Sequence, residues 1–390
     1  MTAHLTHKLE GFGTTIFAEM SALAVATGSI NLGQGFPDTD GPPEVLEAAI
    51  EAIRAGRGNQ YPPGPGVPEL RSAIADHQRA YYGIELDPDR QVLVTCGATE
   101  ALASTMLSLL DDGDECILFE PFYDSYPACV QMAGAKVVPV TLRAPDFQPD
   151  PDALRAAVTP RTRMIVVNSP HNPTGAVFSR ASLEAIAAVA REHDLLVLSD
   201  EAYEHLTFDG TPHVPISTLP DMAGRTVTVG SAGKTLSFTG WKVGWATGPA
   251  DLVGAVRTSK QFLTYVSSGP FQYAVAVGLR LPPAWFSAFA ADLQAKRDRL
   301  AAGLVEAGFG VFRPSGTYFI TTDISGLTTD DGASFCRALP ARAGVVAIPN
   351  SVFYARPDEG RSYVRFAFCK RFDVVDAAVE RLTRMKGSPA

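Results

Sequence analysis

Ser231-Ala232-Gly233-Lys234-Thr235, followed closely by Gly240-Trp241-Lys242-Val243-Gly244-Trp245, is the stretch from which the rest of the 390-residue chain is read. An apolar β-branched run, Thr226-Val227-Thr228-Val229, leads into it and predicts a strand. The strand ends on small residues with one lysine among them. At the end of a central strand Lys234 is either paired with an anion or covalently occupied, not freely solvated. A lysine amine is a nucleophile toward aldehydes, and partial desolvation lowers its pKa into the useful range. Ser231 and Lys242 flank it with a hydroxyl and a second cation, both suited to a phosphate. The combination points to an aldehyde cofactor carrying a phosphate, which describes pyridoxal phosphate. A surface or structural lysine is the alternative that this stretch alone leaves open.

Size and composition set the frame. A chain of 390 residues buries a large core and has room for two or three domain-sized units. Hydrophobic residues at 46% and charged residues at 19% are those of a globular protein. The net charge of −9, with no block of Lys or Arg, argues against nucleic acid as a partner. The opening MTAHLTHKLEGFGTT lacks an apolar core and a cleavage pattern, and no run approaches the roughly 18–20 apolar residues of a membrane span. A cytoplasmic protein with no membrane partner is expected. Cys96, Cys116, Cys129, Cys336 and Cys369 are scattered without a C-x-x-C, so reduced thiols are expected. The histidines show no metal-ligand spacing, and no metal is expected.

Upstream of Lys234 the same pattern recurs. Leu195–Ser199 reads as a buried strand that delivers Asp200-Glu201-Ala202-Tyr203. A carboxylate at such a tip must be paired or hydrogen-bonded. A protonated pyridine nitrogen is one partner and a helix cap another. Met164–Asn168 runs into Ser169-Pro170-His171-Asn172-Pro173-Thr174-Gly175, a stiff turn that orients the Asn172 amide. His171 beside it reads as a packing residue. Gln91–Cys96 turns through Gly97-Ala98-Thr99-Glu100 into a helix, ALASTMLSLL. Strand, small-residue turn and helix N-terminus together bind phosphate through free N–H groups and the helix dipole. Without a G-x-G-x-x-G a dinucleotide is disfavoured. An ordinary βα turn with Thr99 as N-cap reads equally well. Glu115–Phe119 ends near Tyr123, which would cover a flat ring or pack in the core. Tyr61 stands in the Pro- and Gly-rich loop Asn59–Gly66, and NLGQGFPD, residues 31–38, reads locally as a plain turn.

Helices are expected over 43–56, 67–82, 151–158 and 179–193. Strand–helix alternation from about 45 to 280 predicts an α/β fold with a largely parallel sheet covered on both faces. Ligands of such sheets gather at the C-terminal strand ends. The Gly97 turn, Tyr123, Asn172, Asp200 and Lys234 all follow strands directly. After about 283 the texture changes to a long polar helix, 284–307, and short strands. Tyr363–Phe368 alternates, and Arg365 in its middle needs a carboxylate, either structural or from a substrate. The expected organisation is a large domain over 45–283 and a smaller α+β domain built from 1–44 and 284–390.

The ordered set NPTG, SDEAY and SAGKT with GWKVGW, spread over essentially the whole chain, resembles the fold-type I pyridoxal-phosphate-dependent aminotransferases of class I/II, in the branch with the kynurenine–glutamine transaminases. The resemblance implies that Lys234 links to the cofactor aldehyde and then shuttles the substrate proton. It implies that Asp200 keeps the pyridine nitrogen protonated, with Asn172 and Tyr203 on the phenolic oxygen and Tyr123 on the ring. Gly97, Ala98, Thr99, Ser231 and Lys242 would hold the phosphate end, and Tyr61 would reach over from the other subunit of a homodimer. Arg365 would grip the α-carboxylate, helped by the Gly35 backbone and Asn172. The Glu120–Pro121 and Asn172–Pro173 bonds would be cis.

Two departures stand out. Lys242 occupies a position where many relatives carry arginine. Ser267-Ser268 falls where the kynurenine-type branch has an aromatic and a histidine, which implies a roomier, more polar pocket. The segments Phe12–Met20 and Tyr265–Gly269 resemble actinobacterial N-succinyldiaminopimelate aminotransferases, with Phe17 at the pocket mouth. Amino and keto acids would be the small-molecule partners: glutamate as donor and N-succinyl-2-amino-6-oxopimelate as acceptor. A broad kynurenine, glutamine or methionine transaminase, or a cysteine-S-conjugate β-lyase, is the alternative on the same scaffold. Lys260, Arg280 and Arg356 are open choices for the distal carboxylates. A transcription regulator on this fold needs a DNA-binding domain for which the segment before residue 45 is too short. A nucleotide-binding protein using the Gly97 turn leaves Lys234, Asp200 and Asn172 unexplained.

Overall fold

The computed structural model describes residues 6–13 and 15–385, so Thr14 of the opening segment lies outside the described residues. The β-branched runs become strands of one sheet: β1 (Val92–Cys96), β2 (Glu115–Glu120), β3 (Lys136–Thr141), β4 (Thr162–Asn168), β5 (Leu196–Asp200) and β6 (Thr226–Ser231). A seventh strand, β7 (Val243–Thr247), is not legible beforehand, because its glycine and tryptophan hide the alternation. The order is β1-β7-β6-β5-β4-β2-β3. β7 runs antiparallel to both neighbours, and the other pairs are parallel. Parallel pairs need crossover helices, which cover both faces and explain why the middles of these strands are apolar.

The helices start and stop on local chemistry. Arg180–Glu192 is capped by Ser179, whose side chain accepts from Ser182 N. Pro68–Tyr82 begins on a proline and ends at Gly83 in the left-handed conformation. The helix after β1 begins at Gly97, earlier than expected, and Cys96 takes the cap position. Thr99 therefore lies in the first turn and is not the cap. Gly97 has a φ of 70°, which lets strand become helix within one residue. Ser125–Met132 is a further helix that its length of 8 residues and internal Pro127 conceal in the sequence. The helical region after 250 divides into Ala250–Leu263 and Gly269–Gly278.

A second core forms around the chain ends. β8 (Gly310–Phe312), β9 (Phe319–Asp323), β10 (Ile348–Pro349) and β11 (Tyr363–Ala367) make an antiparallel sheet in the order β10-β11-β9-β8. The N-terminal helix Ile16–Thr27, closed by Gly28, contributes Met20 and Ala24 to this core. Ile30–Asn31 pairs with Val345–Val346 and ties the two chain ends together. Tyr203, just after β5, packs in this same core. The long helix Pro283–Glu306 is anchored by the buried Arg297, whose guanidinium donates to Asp209 at 2.6 and 3.0 Å and to Pro314 O at 3.0 Å. All five cysteines are free thiols. Among the described residues no single helix is long and apolar enough to cross a membrane.

The antiparallel β7 supports the βα turn. Gly244 pairs with Thr95 on β1 and Ser231 on β6, and a Cβ there would lie 2.5 Å from Ala98 N and Gly97 C. Overpacking of this kind costs about 1–3 kcal/mol. Gly244→Ala should lose that much in a denaturant titration, and an unchanged midpoint would show that the turn yields freely.

Candidate active site

β6 ends at Ser231, and a single helical turn, Ala232–Thr235, carries Lys234 into a cavity of about 390 Å³. The cavity opens at the C-terminal ends of the parallel strands, the edge where the backbone leaves the sheet and side chains converge. Burial disfavours the charged amine and lowers the Lys234 pKa to about 8. Nζ donates to Tyr318 Oη at 2.5 Å, and Tyr318 Oη donates to Gly35 O at 2.6 Å. Only glycine permits this approach, since a Cβ on residue 35 would sit 2.3 Å from Phe319 Cζ. The turn at 31–38 is thus part of the cavity wall, which its local reading as a plain turn misses.

Asp200 ends β5 and is buried. Its partners are neutral: Tyr126 Oη donates to Oδ2 at 2.7 Å and Ala202 N donates to Oδ1 at 3.1 Å. Burial pushes its carboxyl pKa up, and these two bonds oppose the shift. Asn168 at the end of β4 locks the neighbouring turn, with Nδ2 donating to Asp200 O at 2.9 Å and Oδ1 accepting from Asn172 N at 2.9 Å. Asn172 Oδ1 in turn accepts from Arg365 Nη1 at 2.9 Å, and Arg365 Nη2 donates to Gly33 O at 3.1 Å. The guanidinium lies 4.0 Å from the Phe319 ring centre, 4.9 Å from Phe353 and 5.3 Å from Phe17. It is fully buried, its Nε has no partner among the described residues, and burial lowers its pKa to about 10.

The opposite corner is suited to a phosphate. Gly97, Ala98 and Thr99 open the helix Gly97–Leu109, and with Ser231 and Lys242 they line the same cavity. Lys242 Nζ would lie 3.1 Å from a Cβ placed on Gly97, so any larger residue there would press on the ammonium. Tyr123 and Tyr203 also line the cavity, as do Phe17 and Gly35. Burial raises the pKa of the Tyr123 hydroxyl to about 12.

Several residues singled out in the sequence lie outside this cavity, and Tyr61 is expected to serve a partner subunit's cavity and not its own. Tyr61 is 80% exposed, with its ring edge-on to Tyr265 at 5.4 Å, and does not line this cavity. Ser267 and Ser268 do not line it either: Ser267 accepts from Gln272, and Ser268 stands just before the helix Gly269–Gly278. Lys260 Nζ is held by Tyr265 O at 2.7 Å, Arg356 by Glu120 at 2.9 Å, and Arg280 lies toward Glu69 and Asp76. None of these three cations reaches the cavity. His171 packs on Phe178 and bonds Thr174 Oγ1 at 2.7 Å, with burial lowering its pKa to about 3. The Glu120–Pro121 and Asn172–Pro173 bonds are cis, and so are Ala144–Pro145 and Ser169–Pro170.

Tyr126, Tyr318, Phe319 and Asn168 belong to the site but escape sequence reasoning. Tyr126 follows Tyr123 by one helical turn, the one local sign available. Behind Tyr203, His77, Glu204 and His205 bring ligand-type atoms within 4.8 Å of one another, which sequence spacing does not betray. His77 Nδ1 faces Leu279 O at 3.2 Å and must donate to it, so its Nε2 accepts from His205 Nε2 at 2.7 Å.

Comparison with known proteins agrees with this geometry. The family model described as aminotransferase class I and II matches residues 27–382. A Mycobacterium tuberculosis protein named a probable N-succinyldiaminopimelate aminotransferase is 52% identical over 394 residues, covering 98% of this chain and 99% of that one. The Escherichia coli methionine aminotransferase is 40% identical, covering 97% of each chain. The solved structure of the Mycobacterium tuberculosis N-succinyldiaminopimelate aminotransferase superposes with a TM-score of 0.95 at 53% identity, covering 98% of this chain and 100% of that one. The chain belongs to the class I and II aminotransferases, enzymes that depend on pyridoxal phosphate.

Proposed function

We propose that this aminotransferase moves an amino group between glutamate and N-succinyl-2-amino-6-oxopimelate, in the synthesis of diaminopimelate and lysine. The observation that carries this reading is the near full-length 52% identity to the Mycobacterium tuberculosis relative of that name. The E. coli methionine aminotransferase at 40% identity supports the rival reading of a broader transaminase.

The residues around the cavity fit the cofactor. Lys234 offers a desolvated amine, Asp200 a buried carboxyl without a cationic partner in contact, and the Gly97 helix start with Ser231 and Lys242 a cradle for a dianion. Pyridoxal phosphate, when bound, supplies an aldehyde for the amine and a ring that draws electron density from the substrate Cα. Asp200 would hold the ring nitrogen, Asn172 and Tyr203 the phenolic oxygen, and Tyr123 one ring face. Thr99 would stand with Gly97 and Ala98 at the phosphate.

Arg365 grips the substrate α-carboxylate. Its buried, partly unpartnered fork makes it the strongest anion site left to the substrate. Phe17, Phe319 and Phe353 keep water from the guanidinium, which strengthens the pair. Lys234 Nζ takes the Cα proton and later gives it back. One tethered base performs both transfers because it stays where the first leaves it. Residues 45–283 would form the cofactor-binding domain, and 1–44 with 284–390 the small domain that supplies Phe17, Gly35 and Arg365. The working enzyme would be a cytoplasmic homodimer. Its exposed Tyr61, edge-on to the exposed Tyr265, would reach the partner's phosphate corner.

Lys234→Ala should abolish the visible absorbance of bound cofactor and lower kcat by about 10³-fold or more. Persistence of the band would remove Lys234 from the role. Because burial depresses the Lys234 pKa, its free amine appears at lower pH than on an ordinary lysine. Cofactor uptake by the cofactor-free protein should rise with pH through a midpoint near 8 and level off about a unit above it, and a midpoint near that of an ordinary lysine would contradict the burial effect. With glutamate as donor, kcat/KM for N-succinyl-2-amino-6-oxopimelate should exceed that for the keto acids of methionine, kynurenine and phenylalanine by about a hundredfold, or roughly 2.7 kcal/mol. Equal or better rates with those keto acids would move the function to a broad-specificity transaminase.

A further inference from the structure

Tyr318 carries no sequence sign of chemistry, yet its hydroxyl is the nearest hydrogen-bond partner of Lys234 Nζ among the described residues, at 2.5 Å against 3.5 Å for Gly35 O. A phenol has one proton to give, and Tyr318 gives it to Gly35 O at 2.6 Å. It therefore faces Lys234 as an acceptor, and the amine donates one N–H to it. Neither member of this relay is free to wander. Tyr318 is 2% exposed, and its ring meets Tyr203 edge-on at 5.3 Å and Phe319 at 4.8 Å. The Gly35 backbone is closely walled, since a Cβ there would lie 2.3 Å from Phe319 Cζ and 2.8 Å from Tyr318 Cε2.

We infer that Tyr318 is a positioning residue for Lys234: its hydroxyl, oriented by the Gly35 carbonyl, holds one N–H of the unlinked amine and so fixes the nitrogen with its lone pair free to take a proton. The inference rests on the reading of Lys234 as the proton-transferring base. Without such a hold, a four-carbon side chain samples many positions in a cavity of about 390 Å³, and proton transfer needs a defined approach of the reacting atoms. The oxygen also affects charge. An acceptor stabilises the ammonium more than the amine, so Tyr318 opposes the downward pull of burial on the Lys234 pKa. Removing the hydroxyl lowers that pKa further.

Tyr318→Phe keeps the ring contacts and removes only the hydroxyl. In the cofactor-free protein, competitive acetylation with acetic anhydride across a pH series, read by mass spectrometry of the Lys234 peptide, reports the pKa of that amine without turnover. The expected result is a Lys234 midpoint lower by about half a unit or more than in the unaltered protein. In the loaded enzyme kcat should fall by about tenfold or more while KM for glutamate stays within about twofold, and the acid limb of the kcat profile should move down with the amine. Tyr203→Phe removes a hydroxyl that itself meets Tyr318 but leaves the Lys234–Tyr318 contact, and should move the labelling midpoint by less than Tyr318→Phe does. A thermal unfolding midpoint close to that of the unaltered protein shows that Tyr318→Phe folds. An unmoved labelling midpoint in Tyr318→Phe, or an equal shift in Tyr203→Phe, overturns the inference. If Lys234→Ala kept the cofactor absorbance band, the base assignment would fall and the inference with it, even with the labelling shift intact.

Discussion

Buried charge left without an opposite charge in contact is the constraint on which this structure turns. Lys234, Asp200 and Arg365 all face one cavity, and burial drives each toward its neutral form: the amine to about 8, the guanidinium to about 10, the carboxyl upward. Removing an ion from water costs several kcal/mol unless something compensates. The chain answers with neutral dipoles. Tyr318 receives Lys234, Tyr126 and Ala202 donate to Asp200, and Asn172 and Gly33 accept from Arg365. Dipoles fix the position of each group without quenching its charge. The compensation is left to a ligand that brings a phosphate, a cationic ring nitrogen and a carboxylate.

Such a pattern holds only if the charges cannot move toward one another, and the two sheets see to that. Asp200 and Lys234 come from the ends of neighbouring strands, β5 and β6, whose register is fixed from Val197–Thr226 to Asp200–Val229. Arg365 comes from the other core. It sits in the middle of β11, opposite Thr321 on β9 and Ile348 on β10. Thr321 Oγ1 also donates to Pro173 O at 3.2 Å, so the strand pair that carries Arg365 is tied to the turn that carries Asn172. The cavity lies where the two cores meet. Arg365 is hung from one, Lys234 and Asp200 from the other, and Tyr203 packs at their junction.

What was legible in the sequence follows from this division. Lys234, Asp200, Asn172 and the Gly97 turn each end an apolar strand, and a polar group at the end of such a run is conspicuous by contrast. The parallel sheet was legible for the same reason. β7 was not, because its place between β1 and β6 selects Gly244 by fit against the Gly97 turn and Trp245 by fit against Gly230, and fit leaves no periodicity. Tyr126 and Tyr318 escaped notice because a tyrosine in a short helix or at a strand start is ordinary in sequence. Only the fold brings their hydroxyls to Asp200 and Lys234. The local reading of Gly33 and Gly35 as a plain turn failed on the same ground: their carbonyls acquire meaning from Arg365 and Tyr318, which stand hundreds of residues away. Lys260, Arg280 and Arg356 looked available because sequence shows charge but not the carbonyl or carboxylate that already holds it.

The distribution of cations bears on selectivity. Among the described residues three line the cavity: Lys234, Lys242 and Arg365. On the proposed mechanism the first two serve the cofactor, which leaves Arg365 as the single cation of this wall for a substrate carboxylate. On the proposed function, a succinylated pimelate would bring further carboxylates beyond the one held by Arg365, and charged groups without partners weaken binding where water is excluded. Those carboxylates would then lie toward the opening of the cavity, where solvent meets them. On that reading, selectivity among side chains of different length and charge would rest at the rim of the cavity, away from the sheets that hold Lys234, Asp200 and Arg365 apart.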